Sequence, residues 1–150
     1  MVELPVAVAL ADYPFKELVD SRHGKVYHCQ FVVTDDDLPG VLNLLAAHAN
    51  DAGCITRHAA RPEFGGSVIE LATNSVALLR ALDAMRPRPP APWLAFPDID
   101  AAAYGSLQGS LDYWWTWLWM PYWNNATPDE REQLLALASD DWREFFDFHV

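Results

Sequence analysis

Between Lys25 and Phe96 the hydrophobic positions fall into short, well-separated periods. "KVYHCQFVV" (25–33) is rich in β-branched and aromatic residues and predicts a strand. Leu38, Val41, Leu42, Leu45 and Ala46 then recur at three- and four-residue spacing, which predicts a helix. Asp36 or Asp37 is placed to cap it, Pro39 sits in its first turn, and it ends near Asn50 with Gly53 as a stop. "CITRHA" (54–59) and "SVIELAT" (67–73) predict two further strands, joined through "RPEFGG" (61–66) as a long hairpin loop. Asn74 is the expected cap of a second helix over 75–85, with Val76, Leu79, Leu82 and Met85 on one face. "RPRPPAP" (86–92) reads as a stiff connector and "WLAF" (93–96) as a short fourth strand. Ahead of Lys25 the pattern is thin: "VAVAL" reads as a strand and "FKELVD" as a helical turn.

The order β-α-β-β-α-β over 25–97 predicts an α+β fold of ferredoxin-like type, with both helices on one face of an antiparallel sheet. One chain of 150 residues is read as a single domain, its sheet core at 25–97 and a helical extension at 98–150 packed on it. In that extension "TPDE" starts a helix with Thr127 as cap and Pro128 in first position, and Ser139 caps a last helix over 140–148.

The segment "LDYWWTWLWMPYWNN" (111–125) holds five of the seven tryptophans. Read as a helix, Leu111, Trp114, Trp115, Leu118 and Tyr122 share one face, Tyr113, Trp117 and Met120 lie nearly opposite, and Trp119 and Trp123 fall between. Read as a strand, the tryptophans alternate faces. The helix is preferred, led in from Ala101 and ended at Pro121. Its rings are expected mainly to cover the second face of the sheet, with two or more left for a partner or a homodimer.

Charge alters this picture. The chain carries a formal net charge of −11. Nucleic acid and anionic membranes are thereby disfavoured as partners, and basic proteins favoured. Residues 101–150 hold 8 acids against Arg131 and Arg143 alone. Cys29 and Cys54 make no disulfide framework and are read as free thiols, so the expected compartment is the reducing cytoplasm. No stretch reaches the ~18 apolar residues that span a bilayer.

The motifs of common chemistry are missing. No CxxC or HExxH occurs, and in a strand Cys54 and His58 lie about 13 Å apart, too far to share a metal. "YGSLQGS" is not a nucleophile elbow. "DDD" (35–37) lacks the spacing of a calcium loop. No catalytic residue, metal or cofactor is therefore assigned.

The run "FVVTDDDLPGVLNLLAAHANDAGCI" (31–55), through Asp37, Pro39, Gly40, Val41, Leu42, Gly53 and Ile55, resembles the opening of ACT domains. That resemblance implies a ferredoxin-like regulatory module binding an amino acid near Asp37, Pro39 and Gly40.

Small size, strong acidity and clustered aromatics together lead to the main functional expectation. It is a protein-binding inhibitor, of immunity or antitoxin type, that neutralises a basic toxin by direct binding. Trp117, Trp119 and Trp123 are its expected anchors, and Asp140, Asp141 and Glu144 its charged rim. The ACT-like sensor is the alternative.

Overall fold

The structure, a computed structural model, describes residues 10–22, 24–101 and 107–150. It is a mixed α+β fold built on a four-stranded antiparallel sheet. The strands are β1 (Lys16–Ser21), β2 (Gly24–Val33), β3 (Thr56–Glu63) and β4 (Gly66–Thr73), in the order β1-β2-β4-β3. Helices α1 (Leu38–Ala47) and α2 (Val76–Met85) follow β2 and β4. The "VAVAL" strand expected at 6–10 lies, but for Leu10, outside the described residues.

The expected βαββαβ order fails at its ends. "FKELVD" is not a helical turn: Lys16–Ser21 is an edge strand, registered Lys16 to Cys29 through Ser21 to Gly24. Burial decides this. Lys16 reaches α2, where its ammonium pairs with Asp83 at 2.5 Å and donates to the carbonyls of Ala11 and Pro14. A buried charge needs such partners, and a helical turn at 15–20 would not bring them together. "WLAF" is not a strand either. Pro92–Ala95 forms a short helix, α3, and the edge it was expected to fill, beside β2, is already held by β1.

The β3–β4 hairpin is tighter than the sequence implied. Arg61, Pro62 and Glu63 continue β3, and only Phe64 and Gly65 turn, both at positive φ. Two such residues twist in the sense that paired strands need. Pro62 is tolerated because β3 is an edge strand. Phe64 accepts a left-handed backbone, costing about 1 kcal/mol, and its ring is buried against Phe96 at 5.6 Å.

One face of the sheet packs on α1 and α2. Cys29, Phe31 and Val33 of β2 and Ile69 and Leu71 of β4 meet Val41, Leu45, Leu78, Leu79 and Leu82. The alternate residues Val32 and Val68 point to the other face, where the aromatic C-terminal helices cover them. These are α4 (Gly109–Tyr113), a π-helical stretch (Trp114–Trp119), α5 (Met120–Asn125), α6 (Pro128–Leu137) and α7 (Asp140–His149).

Three expected details change. The helical lead-in starts at Gly109, and residues 102–106 lie outside the described ones. Pro121 does not end the helix, which runs to Asn125. The widened turn just before it accounts for this: Met120 N–H bonds to Trp115 O, five residues back, and Pro121 has no N–H to place. Ser75, not Asn74, caps α2, accepting from Leu78 N–H, while Asn74 accepts from Ile55 N–H across the β3 entrance. Thr127 and Ser139 cap α6 and α7 as expected.

The two halves are tied by a polar latch. Arg86, the left-handed residue closing α2, pairs with Glu130 of α6 at 2.9 Å and donates to Asn125 O. Tyr122 OH donates to the same carboxylate. Tyr13 OH donates to Pro87 O, and its ring meets Tyr122 edge-on at 5.4 Å. Among the described residues no helix is long and apolar enough to cross a membrane.

Gly66 sits where β4 passes closest to its surroundings. A Cβ there would run into the Val33 carbonyl and come within 2.8 Å of Pro90 Cγ. Gly66→Ala should cost about 3 kcal/mol or more, lowering the melting temperature by ~6–12 °C. Gly53→Ala, at φ +73° but in open space, should cost only about 1 kcal/mol. Thermal denaturation of both variants checks the contrast.

Candidate functional site

The tryptophans expected as anchors divide. Trp117 is 50% exposed, whereas Trp119 and Trp123 are core residues at 0% and 4%. The cause is the π-helical stretch. In an α-helix, residue i+5 lies about 140° round from residue i. The wider turn instead brings Trp119 into line with Trp114, their rings stacked at 5.4 Å and 20°. Trp123, four residues on, continues the stack at 5.8 Å. Trp115 turns to α7 and meets Phe145 edge-on at 5.2 Å. The indole N–H groups of Trp114, Trp119 and Trp123 are buried without an acceptor. An orphaned donor costs about 1–3 kcal/mol, so the cluster is held by ring packing and not by polar bonds.

Asp140, Asp141 and Glu144 are all exposed. They lie on α7, whose other side carries Trp142, Phe145 and Phe146 into the core. With Asp129, Glu132 and Asp147 they make six exposed carboxylates on α6 and α7, and among the described residues none of the six forms an ion pair. The two local arginines do not offset them by pairing. Arg131 donates to Trp123 O and lies over the Trp123 ring at 5.2 Å, and Arg143 donates to Leu135 O. Trp117 belongs to a different surface. Its ring neighbours Phe15 at 5.9 Å, beside the sheet, so the anchors and the acidic rim expected as one patch are separate.

The turn singled out by its ACT-like residues is occupied with structural work. Asp37 holds the cap position of α1 but makes no side-chain cap bond. Its carboxylate accepts from Arg88 N–H at 3.0 Å and so pins the proline-rich connector. Pro39 and Gly40 are exposed.

A feature the sequence did not announce is an open groove of about 600 Å³ on the second face of the sheet. Its floor includes His28, Gln30, Arg57 and Glu70, and Phe15 and Trp117 stand over one side. It exists because the aromatic helices cover only the Val32–Val68 end of that face. The signal available beforehand was the change within β2 from alternating apolar and polar residues in "YHCQ" to the continuously apolar "FVV".

Two polar clusters away from the groove are structural. His48 Nδ1 and Ser75 Oγ both meet the Asp51 carboxylate at 2.7 Å. With the aspartate between the other two, the imidazole has no contact through which to activate the serine. The hydrogen bonds from His48 and Ser75 hold the Asp51 carboxyl below its usual range. Glu130 is also held low: burial pushes it up, but Arg86 and hydrogen bonds from Tyr122, Arg86 and Thr127 outweigh that. Among the described residues no group of three or more His, Cys, Asp and Glu side chains is placed to hold a metal ion.

No family model, no curated protein and no solved structure matches the chain.

Trp119→Ala should destabilise by about 3–5 kcal/mol, the range for emptying an aromatic core site, and Trp117→Ala by less than about 1 kcal/mol. Chemical denaturation of the two variants measures the difference. The thiols should differ as sharply. Burial pushes Cys29 up to about 12, so it stays a neutral thiol. Cys54 is partly exposed. At pH 8 a thiol reagent should label Cys54 alone in the native protein, and both after unfolding.

Proposed function

We propose that the protein is a small acidic inhibitor that acts by binding a basic protein directly, in the manner of an immunity protein or antitoxin. The observation that carries this reading is the set of six unpaired, exposed carboxylates on α6 and α7. Charges of one sign without local partners raise the rate of encounter with an oppositely charged surface. The aromatic cluster beneath gives these helices a rigid base, since α7 is anchored by Trp142, Phe145 and Phe146. Exposed Leu137 and Phe148 lie on the same helices and supply apolar contact area. The contact set is then Asp140, Asp141 and Glu144 with these two residues. Trp119 and Trp123 serve the core, and Trp117 serves another surface.

The sensor alternative at Asp37, Pro39 and Gly40 has less support, because Asp37 is committed to Arg88. We read β2–α1–β3–β4–α2 as a ferredoxin-like unit whose last strand is replaced by β1. The two free cysteines accord with a reducing cytoplasm as its place of action.

The test is capture and reconstitution. Tagged protein is exposed to native-host extract, and a captured basic protein is purified and remixed with it. A stoichiometric complex that suppresses the partner's activity is expected. The triple variant Asp140→Asn, Asp141→Asn, Glu144→Gln should slow association about tenfold at low ionic strength, with the difference shrinking as salt screens it. A protein that remains alone, or pairs only with itself, overturns the reading.

A further inference from the structure

The groove beside Trp117 has an order that its residue types alone do not reveal. The strand registers place Glu17 opposite His28, His28 opposite Ala72, and Ala72 opposite Arg57. These four form one row across all four strands, on the face away from α1 and α2. The next row is Gln30, Glu70 and Ala59. Phe15, just before β1, closes that row on the Glu17 side. Ala59 and Ala72 keep the floor low between taller neighbours.

The row carries a carboxylate at one end and a guanidinium at the other, with His28 and Ala72 between them. Glu17 is on one edge strand and Arg57 on the other, and among the described residues neither forms an ion pair. Glu70, in the next row, is already spent. It pairs with Arg61 at 2.9 Å and accepts from Gln30 at 3.4 Å. The groove therefore offers one free carboxylate and one free guanidinium, three strand spacings or about 14 Å apart at the backbone. Beside the carboxylate stand the Phe15 and Trp117 rings, 5.9 Å apart. An ammonium group is favoured there twice, by the carboxylate and by the aromatic faces.

These observations select among occupants. A lone cation would use Glu17 and leave Arg57 unanswered. A phosphate or nucleotide would meet Arg57 but be repelled by Glu17. A zwitterion with its charges well separated answers both ends. A single amino acid is too short for this. Two or three extended residues span ~7–11 Å, and the Glu and Arg side chains are long enough to make up the remainder. The volume of about 600 Å³ falls within the size of small-ligand sites.

We propose that this groove binds short zwitterionic peptides of two to three residues, the free amino terminus at Glu17 and Trp117 and the free carboxylate at Arg57. This site is independent of the acidic surface of α6 and α7 and of whatever that surface binds.

The probes are trialanine, its N-acetyl form and its C-terminal amide, each titrated to about 10 mM into the full-length protein. Calorimetry gives the affinity, and the emission of exposed Trp117 gives a second readout. Trialanine should bind, and each cap should weaken binding about tenfold or more. In Glu17→Gln the penalty for acetylation should fall to near onefold while that for amidation persists. In Arg57→Gln the reverse should hold. Both side chains are exposed, so the variants should keep the parent's circular dichroism and melting temperature. The proposal is overturned if trialanine does not bind, if capped and free peptides bind alike, or if the capping penalties ignore the two substitutions.

Discussion

The structure depends on the burial of the sheet on both faces at one end. Phe31, Val32 and Val33 of β2 are consecutive and all buried, as are Val68 and Ile69 of β4 beside them. Consecutive strand residues point to opposite faces, so such a run cannot be satisfied by one layer of helices. The pair α1 and α2 covers Phe31, Val33 and Ile69. Something must cover Val32 and Val68, and the aromatic helices do. Large rings suit the task, because a few wide side chains remove much apolar surface from water at small entropic cost.

The π-helical stretch follows from that demand. From Trp114 to Trp119, six residues must deliver Trp114, Trp115, Leu118 and Trp119 to the buried side. An α-helical turn would swing Trp119 away from Trp114. The wider turn aligns them in a stack and leaves Trp117 on the outside. The same widening precedes Pro121 and lets the helix continue past it. One local change in helix geometry thus settles which rings are core, where the chain bends, and which tryptophan meets solvent.

This separates what was legible in the sequence from what was not. Local periodicity was legible, since β2, α1 and α2 stand close to where their apolar spacing put them, and so were the caps Thr127 and Ser139 that start α6 and α7. The buried face of the tryptophan segment was also legible in part, since Leu111, Trp114, Trp115, Leu118 and Tyr122 are all buried. Trp119 and Trp123 were misplaced because the 3.6-residue period holds only for regular α-helix. β1 was missed for a different reason. Lys16 looks like a solvent-facing residue until Asp83, 67 positions later, is brought beside it. The short helix at Pro92–Ala95 was taken for a strand because four apolar residues carry no period, and only the prior occupation of the sheet edge by β1 decides. The groove residues were invisible as a set, since Glu17, His28, Ala72 and Arg57 become a row only through three strand registers.

The two surfaces that remain open are consequences of the same constraint. The aromatic helices are wide enough to seal one end of the second sheet face but not the other, so the polar ends of β1 to β4 stay accessible beneath Trp117. The helices that do the sealing turn their apolar sides inward and, with little basic sequence to spare, show carboxylates outward. The two arginines of that region are drawn to backbone carbonyls, Trp123 O and Leu135 O, where they complete helix ends. The six exposed acids on α6 and α7 are therefore left without ion pairs among the described residues, while Glu130 alone is taken up by Arg86. A surface of unbalanced charge and a groove with one free charge at each edge are thus both set by how far the tryptophan layer reaches across the sheet.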